Sequence, residues 1–110
     1  MKLSVALSAS LAALLWAVPA SAQPVDMADT AAGKALLSKH CSRCHQIEAT
    51  GSSRLPVAPP FRELMRRYEP EALEEALGEG LASGHPSMPE FVFEPDEIAA
   101  IIAYFSTLRR

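Results

Sequence analysis

Cysteine is scarce in this chain: its 110 residues hold only two, Cys41 and Cys44. A framework of several disulfides is therefore excluded. A bridge between these two would close a very small loop and stabilise the fold little, because the gain grows with loop length. No second C-x-x-C and no H-x-x-x-H occurs, so a structural zinc site lacks two of its four ligands. No stretch alternates apolar and polar residues as a strand does, which removes the β-α-β setting a thioredoxin-like cysteine pair requires. Aromatic residues make up 6% of the chain, and the one tryptophan is Trp16. A domain this poor in bulky rings has a modest core and calls for a staple or a cofactor. Basic residues are outnumbered, 10 against 13 acidic, for a formal net charge of −3, which argues against nucleic acid as a partner. There is no internal repeat and no inner domain boundary.

The first stretch, MKLSVALSASLAALLWAVPASAQ, has the features of a secretory signal. Lys2 gives a positive start, Val5 to Val18 is an apolar run broken only by serines, and Ala20-Ser21-Ala22 is the small-x-small pattern cut by signal peptidase. The apolar run falls short of the roughly 20 residues a spanning helix needs. The expectation is a cleaved signal over residues 1–22, a mature single domain over 23–110, and no membrane span in the mature form. Cleavage removes Trp16 and, among charged residues, only Lys2, making the mature chain one unit more negative.

Periodicity predicts helices. Asp29 is a suitable N-cap for a helix over Thr30–His40, with Gly33, Leu37 and Cys41 on one face. Residues 46–58, containing "TGSS" and Pro56, form a loop. Phe61, Leu64, Met65 and Tyr68 follow helical spacing. Pro70 suits the first turn of a third helix, with Leu73, Ala76, Leu77 and Leu81 inward, Glu71, Glu74, Glu75 and Glu79 outward, and Gly84 at its end. "HPSMPEF" is a loop kept extended by Pro86 and Pro89. Pro95 opens a last helix with an apolar stripe of Ile98, Ile101, Ile102, Phe105 and Leu108.

His45 follows Cys44 directly, so the chain reads C-x-x-C-H within "HCSRCHQ". This is the attachment signature of c-type haem. Each thiol adds to a haem vinyl group to form a thioether, two intervening residues span the gap between the vinyls, and the next residue carries an imidazole to the iron. Export fits, since this haem is attached outside the bacterial cytoplasm. A zinc pair, a redox pair and a plain disulfide are the competing readings, each weakened by the absences above.

An iron with one histidine has a sixth position, and its occupant decides between electron transfer, gas binding and chemistry. Met88, on the proline-stiffened loop, is best placed. Met65 lies on an apolar helix face, where methionine is usually core, and Met27 lies in the lead segment. His40 precedes Cys41 and is expected to point away. His85 is the rival to Met88, and an open position is the third reading.

Together these residues resemble a class I c-type cytochrome, a small bacterial monohaem cytochrome c, over essentially the whole mature chain. "DTAAGKALLSKHCSRCH" is similar to the family's N-terminal helix and haem site, "APPF" to its Gly-Pro-x-Leu element, "SMPEF" to its methionine loop and "IIAYFSTL" to its C-terminal helix. The resemblance implies an all-α class I cytochrome c fold, with crossing N- and C-terminal helices and short helices wrapped around one covalently bound haem. It implies thioethers at Cys41 and Cys44 and iron ligation by His45 and Met88. It further implies that the Pro59 carbonyl accepts from His45 Nδ1–H, that Phe61 packs against the haem ring, and that Gly33 and Leu37 cross the last helix at Ile101 and Tyr104. Ala58 departs from the family's usual glycine. A tryptophan contact to a haem propionate is impossible in the mature chain, leaving Arg54 or Arg62 as substitutes.

The function these features imply is a soluble, monomeric, periplasmic one-electron carrier without enzymatic activity, serving a donor dehydrogenase or respiratory complex and an acceptor oxidase or reductase. Electrons would pass at the haem edge near the thioethers, close to Arg43; the acidic face Glu71–Glu79 reads first as a solvated helix face, with steering of basic partners as the second reading. A haem-based gas sensor and a haem subunit of a larger periplasmic oxidoreductase complex are the alternatives.

Overall fold

A computed structural model describes residues 26–80 and 87–109. The expected signal (1–22), His85, Leu81 and Gly84 lie outside the described residues. Within them the chain forms α1 (Met27–His40), α2 (Phe61–Arg67), a 3-10 turn (Pro70–Leu73), α3 (Glu74–Glu79) and α4 (Pro95–Thr107). No strand occurs among the described residues.

The most extensive contact between elements is the crossing of α1 and α4. Its tightest point is Gly33, where a Cβ would run into the Ala100 carbonyl. Only glycine lets the two backbones approach so closely. One turn on, Leu37 is buried in the same cluster as Ile101 and Tyr104. Leu37, Met65 and Ile101 are the most deeply buried large side chains with Pro70, so α1, α2 and α4 all supply the centre of the core. Each such aliphatic side chain contributes roughly 1.5–3 kcal/mol by leaving water. Met65 is thus a core residue, as its position on the α2 stripe predicts.

The first helix starts earlier than expected. The Thr30 amide donates to the Asp26 carbonyl at 3.0 Å and the Thr30 hydroxyl does so at 3.2 Å, so the helix closes its first turn on Asp26. Asp29 lies inside that turn, where a carboxylate suits the positive end of the helix dipole, and it is not the cap. The third helix also differs. The chain from Pro70 first winds as a 3-10 turn, and α3 ends at Gly80, whose amide donates to the Ala76 carbonyl at 3.0 Å. Gly80 has φ +109°, and the Glu90 carboxylate occupies the space a Cβ would need. The helix therefore stops before Gly84 is reached. Leu77 is buried, while Glu71, Glu74, Glu75 and Glu79 are exposed, as the spacing predicts. At the start of α4, Pro95 fills the first helical position and the Glu97 carboxylate accepts from the Glu94 amide at 3.0 Å.

Candidate haem-binding site

The site begins where α1 ends. The Cys41 and Ser42 amides both reach back to the Leu37 carbonyl, at 2.8 and 3.1 Å, and the chain then turns tightly. The Cys44 and His45 amides donate to the Cys41 carbonyl at 3.1 and 2.9 Å. Both cysteines are therefore carried on a single turn, half-buried and not joined by a disulfide. Burial, helped by the neighbouring Cys44, pushes the Cys41 thiol up to about 11. At neutral pH it is a neutral thiol, with the sulfur and its proton both present for addition across a vinyl group.

His45 is held by the segment that leads into α2. Its Nδ1 lies 2.8 Å from the Pro59 carbonyl oxygen. A carbonyl only accepts, so Nδ1 carries the proton and Nε2 keeps its lone pair for a metal. The Phe61 ring stacks on the imidazole with centroids 4.9 Å apart and planes 25° apart. Phe61 in turn meets Phe105 of α4 edge-on at 5.3 Å. One short strap, Pro59 to Phe61, thus supplies both the acceptor that fixes the tautomer and the ring that fixes the plane. The strap is tied back by the Phe61 amide, which donates to the Gln46 carbonyl at 3.0 Å.

The loop between follows the same pattern. The Leu55 amide donates to the Cys44 carbonyl at 3.1 Å, the Ala58 amide to the Leu55 carbonyl at 3.0 Å, and the Gln46 amide to Ser53 Oγ at 3.0 Å. Ala58 is buried and its φ is not positive, so this turn has no need of the glycine that the resemblance leads one to expect. A tie invisible in the periodicity comes from α4: the Tyr104 hydroxyl donates to the Ile47 carbonyl at 2.7 Å, anchoring the backbone two residues past His45.

Cys41, Cys44, His45, Pro59 and Phe61 are therefore neighbours in the fold. Met88 lies on a separate stretch, half-buried in a bend ahead of Phe91 and Phe93. Those two rings pack on His40, beside Cys41. Met27 is 86% exposed at the far end of α1, roughly 20 Å along the helix from Cys41. Arg54 is exposed. Arg62, next to Phe61, has a buried guanidinium nitrogen without a hydrogen-bond partner among the described residues.

Among the described residues no three His, Cys, Asp or Glu side chains converge on a point where a bare ion could sit. The arrangement fits haem c instead. It offers two unpaired thiols on one turn and an imidazole with its metal-binding nitrogen free, and the half-buried Arg62 beside Phe61 has one nitrogen short of an acceptor.

Comparison with curated proteins gave no match, and comparison with solved structures gave none. Residues 28–105 do match a protein family, described as cytochrome c oxidase, cbb3-type, subunit III. That span runs from the first turn of α1 to Phe105 and takes in every element described above. The chain belongs to this family of c-type cytochromes and carries haem c, bound covalently.

Proposed function

We propose that the protein is a soluble periplasmic one-electron carrier whose haem iron is held by His45 and Met88, with Cys41 and Cys44 forming the thioethers. Haem c supplies an iron that gains or loses one electron, and haem-based electron transfer is the chemistry of the family. The observation that carries the reading is the His45 Nδ1 bond to the Pro59 carbonyl. It holds the imidazole in one tautomer and one orientation through a neutral backbone partner. Phe61 behind the ring excludes water from that side. Met88 brings a neutral thioether, which favours the reduced iron and leaves no position for substrate. A fixed imidazole and a neutral sixth ligand suit transfer of an electron and give little purchase for bond-making chemistry.

Optical spectra test this reading. The oxidised protein is expected to show the weak long-wavelength band of methionine bound to ferric iron, and the reduced protein is expected not to bind carbon monoxide. Met88→Ala is expected to lose the band and to bind carbon monoxide. A wild-type protein that lacks the band, or binds the gas readily, overturns the carrier reading in favour of His85 ligation or a sensor.

A second reading, a haem subunit held in a larger oxidoreductase complex, is favoured by one feature besides the family's description. Leu55, at 39% exposure, and Val57, at 76%, stand on the surface on either side of the exposed Pro56. The Leu55 amide is bonded to the Cys44 carbonyl, so this apolar surface adjoins the thioether turn. A partner seated there would meet the haem edge. Size measurement after gentle extraction from the native host separates the two: a carrier elutes alone, a subunit with its complex.

A further inference from the structure

His40 is the last residue of α1 and the immediate neighbour of Cys41. Its side chain is half-buried against two rings. Phe91 lies 5.3 Å away with planes tilted by 58°, and Phe93 lies 5.6 Å away, edge-on at 77°. Both distances fall in the range of favourable aromatic pairs. Phe91 and Phe93 are themselves 6.1 Å apart. Val92 between them is 66% exposed, as expected of an extended chain whose alternate residues point to opposite sides. The "FVF" of residues 91–93 therefore forms a two-ring clasp closed on one imidazole.

The backbone of the clasp is fixed elsewhere too. The Phe93 amide donates to the Leu77 carbonyl at 2.9 Å. Glu90 packs its carboxylate over Gly80 at the end of α3. Met88 lies two residues before Glu90, on the far side of these anchors from α4. His40 joins this stretch to the segment bearing Cys41, Cys44 and His45 through its two ring contacts.

We propose that His40 is a positioning residue that holds the Met88 stretch against the haem-attachment turn and thereby sets how readily the sixth ligand leaves the iron. The proposal rests on the reading of Met88 as that ligand. It assigns His40 no contact with the iron. The effect is mechanical: the chain carrying the thioether ligand is tied to the chain carrying the thioethers of the cysteines, and loosening the tie raises the population in which the methionine is off.

The test uses the holoprotein in the ferric state, titrated with imidazole, with the methionine band followed throughout. His40→Ala is expected to weaken the band and to tighten apparent imidazole binding on the order of tenfold, the scale of two lost aromatic contacts. His40→Phe keeps a ring in the clasp and is expected to restore wild-type behaviour. Phe91→Ala, at a half-buried position, attacks the clasp from the other side and is expected to match His40→Ala; it serves if His40→Ala fails to fold. Thermal unfolding of each variant is measured alongside, since a merely structural role lowers the melting temperature and leaves imidazole affinity unchanged. A wild-type methionine band together with unchanged imidazole affinity in His40→Ala and Phe91→Ala overturns the clasp while leaving Met88 as the ligand. A wild-type protein without the band, and with the same spectrum as Met88→Ala, overturns the ligand reading and the clasp with it.

Discussion

Two stretches of chain flank the candidate site, and different forces hold them. Residues 41–61 are laced by hydrogen bonds, from Leu55 to Cys44, from Gln46 to Ser53, from Phe61 to Gln46, from His45 to Pro59 and from Tyr104 to Ile47. Among the described residues, 87–93 are tied to the rest of the fold by the hydrogen bond from the Phe93 amide to the Leu77 carbonyl and otherwise by packing: Phe93 is buried in the core with Phe91 against it, both rings meet His40, and Glu90 lies over Gly80. Hydrogen bonds are directional and fix orientation as well as distance. Ring contacts are broader and tolerate small displacements. The lesson is that His45 is set before any ligand arrives, whereas the Met88 stretch is held by contacts that can give.

Substitutions that sharpen this contrast differ in expected size. The largest effect belongs to Phe61→Ala, which removes a ring that is 6% exposed from between His45 and Phe105. Loss of transfer energy plus the cavity is expected to cost about 3–5 kcal/mol, read by denaturant unfolding of the holoprotein. On the other stretch Phe91→Ala, at a half-buried position, is expected to cost about half as much in the same unfolding measurement. Equal costs for the two would erase the distinction drawn here.

Tyr104→Phe comes next. It removes a buried bond to the Ile47 carbonyl and is expected to cost about 1 kcal/mol at neutral pH. Its pH dependence is more telling. Burial, reinforced by the Glu48 carboxylate and opposed by Lys34, raises the Tyr104 phenol above its ordinary value of 10.0. A group raised in the folded state gives stability that is complete below its ordinary pKa and is lost as pH rises through the folded one. The wild type is expected to lose stability above pH 10 by this route, and Tyr104→Phe is not. Unfolding curves of the two proteins measured from pH 8 upward should converge; a constant gap would contradict the assignment. The smallest effect belongs to Glu48→Gln. The Lys34–Glu48 pair, 2.8 Å long, is about half exposed on both sides, and its loss is expected to leave the melting temperature within error.

Sequence made the bonded stretch easier to read than the packed one. C-x-x-C-H is a local motif, so the turn that carries Cys41, Cys44 and His45 is specified within five residues. Glycine at 33 and the α4 stripe declare the helix crossing because close approach and burial each leave a compositional mark. Other features depend on partners far along the chain. Asp29 has the propensity of a cap, yet the Asp26 carbonyl takes the Thr30 amide and starts the helix earlier. Gly80 rather than Gly84 ends α3, at a positive φ that either glycine could supply. The Tyr104–Ile47 bond joins residues 57 apart, and no spacing rule encodes it. The clasp on His40 has only a faint signal, two phenylalanines at alternate positions after the methionine loop. Sequence leaves Arg54 and Arg62 as equal candidates for a haem carboxylate, and the buried, unpartnered nitrogen singles out Arg62.

The crossing at Gly33 and Ala100 also has a consequence in time. The first helix buries its inner face chiefly against α4, so this part of the core closes between residues made far apart in time. Chains lengthen at roughly 5–20 residues per second, and several seconds separate the appearance of Cys44 from that of α4. Throughout that interval α1 lacks the surface it chiefly packs against, and the backbone just past the two thiols is not yet held by the Tyr104 bond to the Ile47 carbonyl.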